Sequence, residues 1–424
     1  MPEQRAAQAI GFTEFVVLAA ALMATQAIAI DAMLPAFPQI VRVMHVEKEN
    51  HVQWIVMVYM AGMGVGQLVW GVLSDRFGRR RVLLAGTGMY VIAALVCGFS
   101  HSFETLLTWR FIHGFAAASV TVVRSVVRDL YSGRHMARVM SLTFMVFLMV
   151  PILAPSLGQL ILMVATWRYI FFAAGAFALG VWIWASLRLP ETLHPEYRMT
   201  LDPAHIWSAA KFVLGNRISM CYTLCMGLMF GALMSYVAMM PQIFGEVFHR
   251  SRLMPSMFAL CAGFMGIASF LNSRIVVRVG MRRISQVGLL TYLLVTLMHM
   301  LVALSGFERL WTFVLLQGIT MACFSLSVSN FGAMAMEPVG RVAGLGASVQ
   351  GFVSSFGGAM VGALIGRQFN GTTVPLAAGA FICGAASLAL VLIAEKGRLF
   401  RGQYTRAEPG EAGASAEGAG GAAH

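Results

Sequence analysis

GVLSDRFGRRR, Gly71 to Arg81, carries one acid and four arginines in the eight residues that start at Ser74. Apolar runs flank it, WIVMVYMAGMGVGQLVW (54–70) before and VLLAGTGMYVIAALVCGF (82–99) after. Crossing the hydrocarbon core of a bilayer takes about 20 predominantly apolar residues. A strongly charged turn between two such runs decides the fold: the chain crosses a membrane, turns at a charged surface and crosses back.

Composition agrees. The chain is 58% hydrophobic and 11% charged, with a mean hydropathy of +0.76, whereas soluble domains carry about 25% charged residues. Twelve apolar runs are predicted as spans, at about 11–36, 52–73, 82–100, 105–127, 139–164, 167–188, 216–241, 253–273, 284–305, 309–333, 343–366 and 373–393. The first is read as a span and not a signal peptide, since no small-residue cleavage site and polar mature domain follow it. The net charge of +12 would suit nucleic acid, but its distribution does not. With the N-terminus inside, 21 of the 30 Lys and Arg fall in cytoplasmic segments and seven in outer loops. That is the positive-inside bias, and it places both termini in the cytoplasm. The six cysteines all fall within predicted spans, at spacings that suggest neither a disulfide nor a metal site.

The longest connection, Arg188 to Arg217, divides the spans six and six. The halves resemble each other: shifted by 202 residues, Gly78 falls on Gly280, Arg76 on Arg278, Arg80 on Arg282 and Arg81 on Arg283, while Val277 replaces Asp75. Internal repeats of this kind belong to transporters whose halves rock about a central site. The expected organisation is a first six-helix bundle (1–188), a cytoplasmic linker (189–215), a second bundle (216–394) and a disordered cytoplasmic tail (395–424) rich in Gly, Ala and Glu. The fold class is all-α and polytopic: twelve transmembrane helices in two pseudo-symmetric bundles.

Six plus six spans with GVLSDRFGRRR between the second and third resemble the major facilitator superfamily. DAMLPAFPQI (31–40), WRFIHGFAAASVTVVRSVVRDLYSG (109–133), PILAPSLGQLI (151–161), YVAMMPQIFGEVF (236–248) and LNSRIVVRVG (271–280) resemble more narrowly the Bcr/CflA type of drug:proton antiporter, over about residues 11–393. The resemblance implies proton-coupled efflux of neutral or amphiphilic small molecules of the multidrug or antibiotic kind, from the bacterial inner membrane. It implies a monomer with protons as coupling ion and no cofactor, metal, enzymatic activity or nucleic-acid partner. It also implies that the loop around Asp75 and Arg79 latches the two halves together. Physically, Gly71 allows close helix approach, Asp75 can pair with an arginine or cap a helix, and Gly78 permits a tight turn. Arg76 and Arg80 complete the set.

Asp31 near the outer end of the first span is a functional candidate because an acid within a span is costly. The other reading is a helix terminator at the water interface before Pro35. Arg110, at a comparable depth in the fourth span, is its expected partner; pairing and separation of the two would switch Asp31 between deprotonated and protonated forms. Multidrug relatives often carry a second acid deeper in span 1, where this chain has Met23, Gln26 and Ala29; Glu14 is read as an interfacial carboxylate. Arg124, Arg128 and Asp129 are read as interface anchors with a possible share in gating. In span 5, Pro151 and Pro155 bend the helix and Gly158 allows close contact. The family's second glycine is replaced by Gln159. Gln26, Tyr59, His113, Gln317 and Asn330 are expected around the cavity, with 30 methionines and 29 phenylalanines offering deformable lining. A dedicated metabolite exporter or importer of the same fold is the alternative; a transport-inactive sensor fits less well, since Asp31 and Arg110 are both retained. An ATP-driven pump would need a glycine-rich phosphate loop, and the sequence has none.

Overall fold

The structure, a computed structural model, describes residues 10–131, 133–193, 196 and 203–400. Every regular element among them is helical. Helix α1 (Phe12–Asp31) stops short of Pro35, which has no N–H to offer a continuing helix. The chain passes through a tight turn at Leu34–Ala36 into the short α2 (Phe37–Val43). The first span is therefore broken just after Asp31. Helices α3 (Trp54–Phe77) and α4 (Arg79–Phe99) are separated by Gly78 alone, whose φ of +101° explains why glycine stands there. The fourth span comprises α5 (Phe103–Ala117), capped by the Ser102 hydroxyl, a 3-10 turn at Ala118–Thr121 and α6 (Val122–Leu130). Helix α7 (Gly133–Val164) begins earlier than the predicted fifth span, and α8 (Arg168–Arg188) completes the sixth.

Within the predicted linker lies a helix, α9 (Pro203–Gly215). The later spans are α10 (Arg217–Gln242), with Pro241 near its end and a π turn at Ile243–Val247, then α11 (Met254–Val279), α12 (Met281–Leu304) and α13 (Leu310–Met336). The eleventh span is α14 (Ala343–Phe352), a π turn at Val353–Gly357 and α15 (Gly358–Gly366); α16 (Val374–Ala394) is the last. Between α11 and α12 stands Gly280 with φ +89°, the counterpart of Gly78 in the internal repeat. Among the described residues eleven of these segments are long and apolar enough to cross a membrane; in α7 the stretch Leu153–Val164 is apolar but shorter than a full crossing. Large apolar side chains such as Val164, Leu187, Ile267 and Ile382 stand exposed on the outside. This is a multi-pass membrane protein whose outer surface is solvated by lipid.

Without a hydrophobic driving force between helices in lipid, close packing falls to small residues. Gly62 of α3 lies under the Phe111 carbonyl, and Gly114 of α5 lies under that of Tyr59, so the two backbones touch reciprocally. Two seams join the first six spans to the second six: α3 against α14, the π turn and α15, and α7 against α11. Across the first seam Gly71 faces the Ser348 hydroxyl, and Gln67 Nε2 donates to Ser355 Oγ at 3.1 Å. Residues 395–400, assigned by sequence to the tail, engage the second half: Glu395 accepts from Tyr222 Oη (2.6 Å) and Arg282 Nε (3.0 Å), and the Phe400 N–H donates to Gln286 Oε1 (2.6 Å). Residues 401–424 lie outside the described set.

Candidate functional site

Two groups of polar residues stand out. The first is buried between α1, α3 and α5. Asp31 ends α1 with only 6% of its surface exposed, and among the described residues it makes neither an ion pair nor a hydrogen bond. Arg110 is wholly buried. Its Nε donates to the Ile55 carbonyl oxygen at 3.0 Å and its Nη1 to His113 Nδ1 at 3.2 Å. The guanidinium lies 4.3 Å from the centroid of the Tyr59 ring and 5.7 Å from that of Phe171, where the aromatic faces attract its charge. Nη2 has no partner.

Arginine is only a donor, so His113 accepts through Nδ1 and carries its ring proton on Nε2, which is also without a partner. Tyr90 and Tyr59 flank the imidazole, with ring centroids at 4.1 and 5.4 Å. Gln26 closes the group from α1, donating Nε2 to the Ala117 carbonyl at 2.7 Å. Tyr59 lies within electrostatic reach of both Asp31 and Arg110, and Tyr236 of α10 within reach of Asp31. Asp31 and Arg110 thus share one buried neighbourhood, with Tyr59 in common, and they are not ion-paired in this conformation.

The fifth-span motif supports this group. Gly158 is buried so close to the Ala32 carbonyl that a Cβ would overlap it, which ties α7 to the residue following Asp31. Pro155 is buried and Gln159 half-buried; the side chain of Pro151 lies outside the described residues. Gln317 and Asn330 are buried away from the group, in α13. Asn330 Nδ2 donates to Asn272 Oδ1 at 3.0 Å.

The charged turn forms the second group. Arg79, 5% exposed, is its hub. It pairs with Asp75, donates Nη1 to Ser74 Oγ at 2.8 Å, and reaches Asp129 Oδ2 through Nε at 3.2 Å. Glu191, just beyond α8, accepts the Arg79 backbone N–H at 2.8 Å. That backbone N–H is one of the unsatisfied donors at the start of α4. A Cβ at Gly78 would overlap the Glu191 carboxylate. Arg80 donates to the Ser186 carbonyl, and Arg76 is exposed above the Phe77 ring. All these ionic contacts bind parts of the first half to one another; contact with the second half comes from Gly71. Glu14 forms a two-pronged pair with Arg188, at 2.7 and 2.8 Å. Arg124 and Arg128 are exposed.

Sequence reasoning missed three features. Glu191 as a helix cap was available as an acid directly after a span. The second half holds its own ionic cluster, Arg282 with Glu395 (3.0 Å) and Glu337 (3.8 Å), and a buried His299–Glu308 pair at 2.9 Å. A chain of amides, Gln53, Gln242 and Asn50, crosses between the halves. It had no sequence signal, because Gln242 lies 189 positions from Gln53 and 192 from Asn50.

Comparison with known proteins adds the family context. A family profile described as Major Facilitator Superfamily matches residues 16–362. A bicyclomycin resistance protein homolog of Haemophilus influenzae is 28% identical over 367 residues, which are 86% of this chain and 90% of that one. The multidrug resistance protein MdtL of Klebsiella pneumoniae is 28% identical over 387 residues, 90% and 95% of the two chains. Among solved structures, the partially occluded inward open conformation of the xylose transporter XylE from E. coli superposes with a TM-score of 0.72 at 12% identity, covering 92% of this chain and 99% of that one.

Proposed function

This chain belongs to the Major Facilitator Superfamily and is a secondary transporter, not an enzyme; from that premise we propose that it exports neutral or amphiphilic small molecules in exchange for protons. The relatives named for bicyclomycin and multidrug resistance point to substrates of the antibiotic type. The clustering of arginine at the 71–81 turn supports a cytoplasmic position for that end, in a bacterial inner membrane. On this reading the bundles are 1–188 and 216–394, the protein works as a monomer, and the proton is its only coupling ion.

One observation carries the reading: Asp31 is buried with no ion pair or hydrogen bond among the described residues, and Arg110, whose Nη2 is unpartnered, shares Tyr59 with it as a common electrostatic neighbour. Two opposite charges that share a neighbourhood and are left apart in one state can pair in another. Pairing favours the ionised carboxylate, and separation in a dry site favours the neutral one. Alternating access would thereby load a proton on one side and discharge it on the other. In this scheme the Arg79 cluster keeps the first half rigid, and Gly71 sets its docking against α14 in the latched state.

The test is transport into everted membrane vesicles acidified inside. Labelled neutral antibiotics should accumulate, and a protonophore or the substitution Asp31→Asn should abolish the accumulation. Accumulation untouched by the protonophore would sink proton coupling.

A further inference from the structure

Every ion pair among the described residues lies within one half of the protein. At the end of the seam opposite the arginine-rich turn, the hydrogen bonds between halves join neutral groups, with the carboxylates of Glu49 and Glu246 within electrostatic reach of each other across the seam. Gln53 Nε2 donates to Gln242 Oε1 at 2.5 Å, Gln242 Nε2 to Asn50 Oδ1 at 2.9 Å, and Asn50 Nδ2 to the Phe369 carbonyl at 2.9 Å. Gln53 and Asn50 belong to the first half, Gln242 and Phe369 to the second, so each of the three hydrogen bonds crosses the seam. All three run in one direction, an arrangement in which each bond polarises the next.

The chain of amides is enclosed. Gln53 is 1% and Gln242 7% exposed, with Val52, Ile243 and Phe244 buried around them. Gln53 Oε1 lies against Gly366 at the end of α15, where a Cβ would overlap it. At the rim the Arg367 guanidinium of the second half stacks 5.7 Å from the Trp54 ring centroid of the first.

We infer that Asn50, Gln53 and Gln242, seated on Gly366, are the outer gate of the transporter. The inference rests on the alternating-access reading above. It adds a role for residues that the proton switch and the arginine-rich turn leave unused. Neutral amides suit a contact that must break and reform, because each exchanges one set of hydrogen bonds for water at small net free energy, whereas a buried ion pair carries a large desolvation cost. Opening the gate hydrates all the amides. Closing it buries them; the cross-half bonds satisfy the groups they join, and Gln53 Oε1, against Gly366, is left without a partner. Removing one partner therefore penalises the closed state alone: Gln242→Leu strands Gln53 Nε2 and Asn50 Oδ1 when closed and neither when open. The expected rise in the open-to-closed ratio is about tenfold or more.

The experiment is a pulsed electron–electron distance measurement on purified full-length protein in nanodiscs, with spin labels at Glu47→Cys and Arg250→Cys. Both positions are exposed, one on each half, while the six native cysteines are buried. The wild-type background should give one short distance. Gln242→Leu should add a longer population, and the half-exposed Asn50→Ala a smaller one in the same direction. Asn50→Ala decides the matter if Gln242→Leu does not purify. An unchanged distribution in folded, monodisperse variants would overturn the gate. The readout needs neither drug nor proton. A failed gate therefore leaves proton coupling standing, and a failed proton switch leaves the gate standing.

Discussion

Gly158 of α7 lies directly against the carbonyl oxygen of Ala32, the residue after Asp31. The contact makes the position of the buried carboxylate depend on a helix four spans away from it in sequence. Gly158→Val should push α7 from the break that ends α1, at a cost of about 1–3 kcal/mol from overpacking. Thermal unfolding in detergent should move down by several degrees, and drug transport should fall with it. Gly180, with nothing near its missing Cβ, is the control: Gly180→Ala should leave both unchanged or raise stability slightly, since alanine is the better helix former.

Arg110 is held by shape as much as by charge. Its planar fork reaches Ile55 and His113 while its face rests on Tyr59. A lysine ammonium offers the charge without the fork or the flat face. Arg110→Lys should keep the fold and lower drug-driven proton exchange by roughly tenfold or more, the loss of about one buried charge-assisted hydrogen bond. Retained transport in Arg110→Lys would mean that any positive charge at this depth suffices.

The Arg79 cluster lies within the first half, so its removal should be felt as loss of that half's stability. A double-mutant cycle on Arg79→Ala and Asp129→Ala, read by chemical or thermal unfolding, should give a coupling of about 1–3 kcal/mol. A coupling near zero would reduce the cluster to a charged surface whose task is orientation in the membrane.

Much of the fold was legible because its signals are local. Apolar runs and the glycine turns at Gly78 and Gly280 are each set by a few neighbouring residues, and the helices and turns of the described residues fall close to where the sequence places them. The break after Asp31 follows from Pro35, although the run from 11 to 36 reads as one span on hydropathy alone. The site was legible in its members and less so in its pairings. Asp31 and Arg110 stand out as charges within spans, but which group meets the guanidinium depends on the Ile55 carbonyl and the Tyr59 face, which carry no charge to announce them. The same holds for Gln53 and Gln242. A glutamine within a span signals a polar contact and not its partner, and that partner comes from a helix in the other half.

Proton release from the detergent-purified protein on addition of neutral and cationic antibiotics tests the central claim most directly. The account predicts release from the wild type with at least one drug, and none from Asp31→Asn while that variant still binds the drug. Equal release from wild type and Asp31→Asn would contradict it, placing the coupling proton on another group.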